Sequence, residues 1–312
     1  MLIDTHCHLH DPEWFSSEQS ELFLQEAREN GVQKIICIGT NPQDSETARN
    51  YANAHEDVYW TYGIHPEFAS QYEECVADLG NRQCSCLRAF GGLVAGNGQS
   101  SRSGSSGGSA EAKRRDPATA GVANAGPDEK IVRSPAGVAL CSEKTNNSSI
   151  DGKLVAIGEI GLDYHYDGYD RTAQIHLFEQ MLQLALGLNL PVSLHIREAF
   201  SDALAVIDNF PKTRGVVHSF TGSKRDLRQA LERNFYIGVN GLCTYTTNPL
   251  PPLEKMVLET DAPFLTPVPF RGTINKPGYV KTIATYLAEK LGVAESNLVE
   301  QTTQNARNIF QI

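Results

Sequence analysis

The sequence has no CxxC pair, no run of eighteen apolar residues and no excess of basic charge. Its seven cysteines, at positions 7, 37, 75, 84, 86, 141 and 243, are odd in number and scattered, which argues against a disulfide framework or a thiolate zinc site and predicts reduced thiols. Without a long apolar run no membrane span is expected. The opening MLIDTHCHLHD leads directly into a strand with no basic region or cleavage site, so a cytoplasmic chain with no membrane partner is predicted. With 27 Lys+Arg against 37 Asp+Glu, the net charge of -10 argues against a broad basic docking face for nucleic acid. It leaves room for a nuclease whose positive charge comes from bound metal.

What is present is a large core and a set of polar residues at the ends of apolar runs. A chain of 312 residues that is 40% hydrophobic can bury enough surface for one big barrel or two ordinary domains. Within GEIGLDYHYD, residues 158–167, Glu159 stands at the end of the apolar run Leu154 to Ile160, where a buried parallel strand opens onto a mouth. Four other runs end comparably: His6 and His8 in IDTHCH, His195 in PVSLHIR, His218 in GVVHSF and Asp261 in VLETDAP. Imidazoles and carboxylates gathered on five strand ends point to a metal centre.

Strand and helix patterns alternate along the chain. Residues 2–8 read as the first strand, with Asp4, His6 and His8 expected on one face and Ile3, Thr5 and Cys7 on the other. A helix over Ser20 to Asn30 ends at Gly31, followed by a strand from Lys34, a helix from Asp44 and a strand over Val58 to Pro66. His65, at that third strand end, reads either as a structural histidine or as a contact to a substrate phosphate. A helix is expected over Ser70 to Asn81. Thirteen of the twenty residues from 91 to 110 are then Gly or Ser, and from about 84 to 150 the sequence reads as a disordered insertion. Beyond it come the strand carrying Glu159, a long helix over Arg171 to Leu188, and a strand over Pro191 to Arg197 that puts His195 and Arg197 on one face. Strands from Gly215, Phe235 and Met256 complete eight, the count of a (β/α)₈ barrel. The whole chain, 1–312, is therefore expected to be one interrupted TIM-barrel domain.

With GEIGLDY, SLHIR, VHSFTG and ETDAPFL at successive strand ends, the chain resembles the TatD-type metal-dependent deoxyribonucleases, amidohydrolase-like TIM barrels. GIHP at 63–66, PFRGTINKP at 269–277 and NARNIF at 305–310 extend the resemblance to both flanks of the insertion. It implies two divalent ions, Mg²⁺, Mn²⁺ or Zn²⁺, with His6, His8 and Asp261 on one, His195 and His218 on the other and Glu159 bridging. Arg197 and His65 are implied to approach the substrate phosphate, with Asp261 and Glu159 catalytic and Asp261 taking the proton of the attacking water. The implied activity is 3′–5′ exonuclease on DNA, or RNA, with nucleic acid as substrate and no protein partner. A hydrolase of a small ester, lactone or cyclic amide is the alternative on this architecture, and an inactive copy a third. The cyclic-amide relatives bridge their metals with a modified lysine on strand four, where this chain offers Glu159 and no lysine after Lys153. Two features depart from the family pattern: the insertion, and the Leu242 to Lys255 connection, too short for a helix and so expected to leave a gap in the outer layer.

Overall fold

The computed structural model describes residues 1–72 and 152–312. Within them the apolar runs form β1 (Leu2–Cys7), β2 (Val32–Cys37), β3 (Val58–Tyr62), β4 (Leu154–Asp163), β5 (Val192–Arg197), β6 (Gly215–Val217), β7 (Tyr236–Val239) and β8 (Met256–Leu258). Each strand pairs in parallel with the next in sequence. The ring closes just past β8, where the Asp261 amide donates to the His6 carbonyl and the His8 amide to the Ala262 carbonyl, both at 2.8 Å. This is the expected (β/α)₈ barrel.

The amphipathic segments form α1 (Ser17–Glu29), α2 (Pro42–Ala54), α3 (Arg171–Leu188), α4 (Phe200–Asp208), α5 (Lys224–Glu232), α6 (Val280–Leu291) and α7 (Glu295–Phe310). Their ends follow capping chemistry. Ser16 and Gln19 form a reciprocal capping box at the start of α1, and Gly31 follows its end at φ +84°. Of the helix expected over Ser70 to Asn81, the described part is a 3₁₀ turn over Pro66–Tyr72. The remainder, like the insertion at 84–150, lies outside the described residues. No described helix is long and apolar enough to cross a membrane.

The short connection between β7 and β8 carries two 3₁₀ turns, Gly241–Thr244 and Leu253–Lys255, and no α-helix. As expected, this connection adds no helix to the outer layer. Helix α7 packs against the second of these turns and β8, and its buried Asn305 amide donates to the carbonyls of Leu253 at 2.8 Å and Met256 at 2.7 Å. Ala306, Ile309 and Phe310 of the same helix join Ile3, Ile36 and Val257 in the buried cluster along the barrel axis.

Two irregularities in the ladder decide which side chains face the barrel axis. On β1, Asp4 pairs with Ile35 and Cys7 with Cys37, with a register shift between them. Paired residues of neighbouring strands share a face, and Ile35 and Cys37 share theirs, so Asp4 points outward with Cys7. The strict alternation predicted for β1 is therefore wrong at Ile3, which faces the axis cluster, and at Asp4, which leaves the histidine face and instead accepts from the Thr260 hydroxyl (2.6 Å) and amide (2.9 Å). His6 and His8, flanking the outward Cys7, both face in. On β4, Ile157 pairs with Val192 and Ile160 with Leu194, so three steps on one strand match two on the other. The extra residue lies at Gly158–Glu159 and aims Glu159 into the mouth.

Beneath these side chains the axis is apolar. Ile36, Ala156, Val216 and Val257, one from each even-numbered strand, belong to one buried cluster, the alternate-strand layering of this fold. The polar site rests on that floor. Gly63 makes room for it, because a Cβ there would lie 2.2 Å from the Glu159 amide nitrogen.

Candidate active site

Glu159 is the hub. Its Oε1 lies 2.8 Å from both His195 Nδ1 and His218 Nε2, and its Oε2 lies 3.4 Å from His6 Nε2 and 4.0 Å from His8 Nε2. Asp261 approaches from the closing edge, with Oδ1 3.6 Å from His6 Nε2 and 3.8 Å from His8 Nε2. All six sequence-predicted ligands therefore meet in one buried cluster at the C-terminal mouth, where loops of this fold carry chemistry. Ligand atoms within 4.8 Å of one another fall into three overlapping groups: His6, His8 and Asp261; His6, Glu159 and His218; and His65, Glu159 and His195.

The electrostatics are those of a cation site. Burial and the neighbouring His218 push the His6 imidazole well below its ordinary pKa, and its Nε2 is buried without a hydrogen bond. Burial alone would raise Glu159, but the charge and hydrogen bonds of His218, His195 and His6 outweigh it and hold the carboxylate well below its usual range. The counterpart is that His218 and His195 are raised despite their burial. Protons shared between Glu159 and two imidazoles, beside an unpartnered imidazole nitrogen, occupy the place of divalent charge: the donor set fits metal ions. Burial raises Asp261 to about 7. Its backbone, at φ +60, is in the left-handed region, which Asp tolerates better than most residues.

The two phosphate-contact candidates lie at the cluster's edge. His65 Nε2 is 3.8 Å from Glu159 Oε1 and its ring is 4.4 Å from that of His195. Burial lowers it to about 3, so it is a neutral imidazole. Arg197 holds its guanidinium 5.2 Å over the Tyr166 ring and donates to the Tyr166 hydroxyl at 3.4 Å.

Three carboxylates escaped the reading of strand ends. Asp163 Oδ2 lies 3.0 Å from His195 Nε2, so His195 is held at both nitrogens. Gln174 of α3 locks Asp163 in turn through its backbone N–H and C=O, both at 2.9 Å. Glu259 is fully buried, accepts from the Ser219 amide at 2.6 Å and lies 3.7 Å from His218 Nδ1. Gly238 leaves room for it, since a Cβ there would sit 2.1 Å from Glu259 Oε2 and displace that carboxylate. A signal for Glu259 was present: it stands two residues before Asp261, on the same strand face.

The third is Asp44, which accepts from the Thr40 amide and hydroxyl and lies 2.9 Å from His10 Nε2, bracing the loop just after His8. Burial alone would lower His10, but the hydrogen bond of Asp44 outweighs it and raises the imidazole to about 10. The same pairing overcomes burial at Asp44 and holds it at about 2. A raised histidine contributes stability fully below its unfolded value of about 6.5 and loses it as pH rises through the folded value. Asp44 contributes above about 3.9 and loses its part only as pH falls through about 2. The stability lost in His10→Gln is therefore expected to shrink between about pH 7 and pH 10, measured by urea unfolding of both proteins across that range. A difference that stays constant with pH would show that the pair is not charged.

Comparison with known proteins extends this picture along the chain. An uncharacterized metal-dependent hydrolase of Bacillus subtilis (strain 168), YabD, is 37% identical over 169 residues, which cover 51% of this chain and 66% of that protein. About a third of that relative thus lies outside the match. The 3′-5′ ssDNA/RNA exonuclease TatD of Pantoea ananatis (strain LMG 20103) is 29% identical over 95% of this chain and 94% of its own length. Among solved structures, the TatD homolog YJJV from Escherichia coli K12 superposes with a TM-score of 0.73 at 24% identity, covering 100% of this chain and 98% of that one, a likeness of fold. The family model described as TatD related DNase matches residues 3–311, with all six clustered histidine and carboxylate side chains inside it, and this chain belongs to that family.

Proposed function

We propose that this chain is a metal-dependent hydrolase of phosphodiester bonds, a deoxyribonuclease that removes nucleotides in the 3′-to-5′ direction. The observation that carries the reading is the identity of the hub. Strand β4, Leu154–Asp163, has the sequence LVAIGEIGLD, with a carboxylate at the shared position and no lysine that could be modified into a bridge. Two divalent ions are assigned here, Mg²⁺, Mn²⁺ or Zn²⁺. His6, His8 and Asp261 would hold one, His195 and His218 the other, and Glu159 would serve both. Such ions supply Lewis acidity to phosphoryl oxygens and make water a stronger acid.

The protein's own groups do the rest. Asp261, a buried carboxylate at the closing edge of the cluster, accepts the proton lost as water attacks phosphorus and releases it afterwards. Neutral His65 presents an N–H to a phosphate oxygen, and Arg197, kept in place by Tyr166, pairs with the phosphate charge. Asp163 and Glu259 keep the His195 and His218 rings oriented.

The test is digestion of end-labelled single- and double-stranded DNA and RNA by metal-reconstituted protein, beside a panel of small esters, lactones and cyclic amides. Successive shortening of DNA from its 3′ end is expected. Turnover confined to the small-molecule panel would replace the phosphodiester reading with the ester or amide one. No turnover from a cooperatively folded, metal-loaded preparation would indicate an inactive copy.

A further inference from the structure

Two exposed aromatic side chains stand beside the reactive cluster and have no part in it. Trp14, in the loop after β1, is 45% exposed, and Phe264, in the loop after β8, is 43% exposed. Their rings meet edge to face, with centroids 5.1 Å apart and planes at 79°. Phe264 also touches the cluster, its ring 6.3 Å from that of His8, and its amide donates to the Asp261 carbonyl at 2.8 Å. Large apolar side chains left this exposed lose favourable burial unless something covers them. These two form a wedge that starts at a ligand histidine and runs outward from it.

On the phosphodiester reading of the site, on which this inference rests, we propose that the Trp14–Phe264 wedge is a base-stacking platform for a nucleotide flanking the scissile phosphate. The layout of the barrel supports this occupant. In a ring of eight sequential strands, the β8–β1 edge that carries the wedge lies across from the β4–β5 edge that carries Arg197 and Tyr166. A strand crossing the mouth then has its phosphate over Glu159, Arg197 on one side of it and flat apolar rings on the other. That sequence of charge and π-face is the repeat of a nucleic-acid strand. Because every base has a π-face, such a platform tolerates any sequence but requires the base to be unpaired. The chain's charge of -10 gives no general attraction for polyanions, so capture falls to the cluster, the arginine and the wedge.

The two tryptophans of the sequence make the test direct. Trp60 is fully buried, so Trp14 is the exposed reporter. A phosphorothioate-linked thymidine tetranucleotide and its abasic counterpart are titrated into Mn²⁺-loaded protein, following both tryptophan emission and the anisotropy of a label on the strand. The thymidine strand is expected to quench emission saturably and the abasic strand to bind without quenching. Phe264→Ala should weaken the thymidine strand by roughly tenfold and leave the abasic strand unchanged, while Phe264→Tyr should restore wild-type binding. Binding of the thymidine strand without quenching, or equal weakening of both strands by Phe264→Ala, would overturn the platform. Cleavage of the unmodified strand separates the two levels of the reading. Quenching with these signatures but no cleavage retains the platform and removes the nuclease assignment, whereas cleavage without quenching does the reverse. Neither binding nor cleavage removes both.

Discussion

Asp261→Asn is expected to lower kcat by about 10²- to 10⁴-fold while the protein keeps its fold, the range for losing a positioned general base. The substitution separates shape from chemistry unusually well at this position. Asp261 has φ +60, and Asn is among the few residues that adopt the left-handed region readily, so the backbone need not move. The amide that closes the barrel onto the His6 carbonyl belongs to the main chain and is retained. What disappears is a buried carboxyl that can take up and release a proton. His195, His218 and Glu159 stay intact and should still hold an ion. Turnover, melting temperature and metal content have to be measured on one preparation. A metal-loaded Asn variant with near-normal turnover would take Asp261 out of the proton transfer; a large fall in melting temperature at normal kcat would make it a structural carboxylate.

Removal of metal is expected to have the largest effect of all, with activity falling to background in excess chelator and returning with Mg²⁺ or Mn²⁺. Among the clustered side chains, none is an activated nucleophile, and the only base raised toward neutrality by its surroundings, Asp261, cannot by itself offset charge on a phosphate. The effect should also be visible without substrate. An ion that binds only the folded state raises the melting temperature as its concentration exceeds its dissociation constant. Because it must displace the protons that Glu159 holds on His195 and His218, that gain should weaken as the solution is made acidic. Undiminished turnover with metal content confirmed as nil would defeat the assignment.

Much of this site was legible because a parallel strand buried on both faces writes itself as an apolar run, and the residue that interrupts the run at its C-terminal end is the one facing the mouth. His195 in SLHIR and His218 in VVHSF are such residues. The helix over Arg171–Leu188 was legible to the residue, bounded by Asp170, whose side chain caps it, and by Asn189 in the left-handed conformation. Other features depend on pairing between strands, which a single strand does not carry. Nothing in LIDTHC says that its ladder slips between Asp4 and Cys7, so a period of two misplaces Asp4. Asp163 lies four residues past Glu159, and its bond to His195 exists only through the register of β4 against β5. The anchoring of the short connection beside β8 is hidden for a similar reason: Asn305 is far away along the chain, and only the fold brings it to Leu253 and Met256.

The extra residue in β4 has a consequence for how this protein can fail. Below it the strand keeps step with β5 through Ile157 and Val192, and above it through Ile160 and Leu194, so the two halves of β4 are phased independently. Loss of Gly158 would leave Glu159 alone opposite Ser193, still facing the axis but with its height against His195 and His218 reset. The height of the hub against its imidazoles is thus set by one inserted residue in a ten-residue strand, and a sound barrel is no guarantee of a working one.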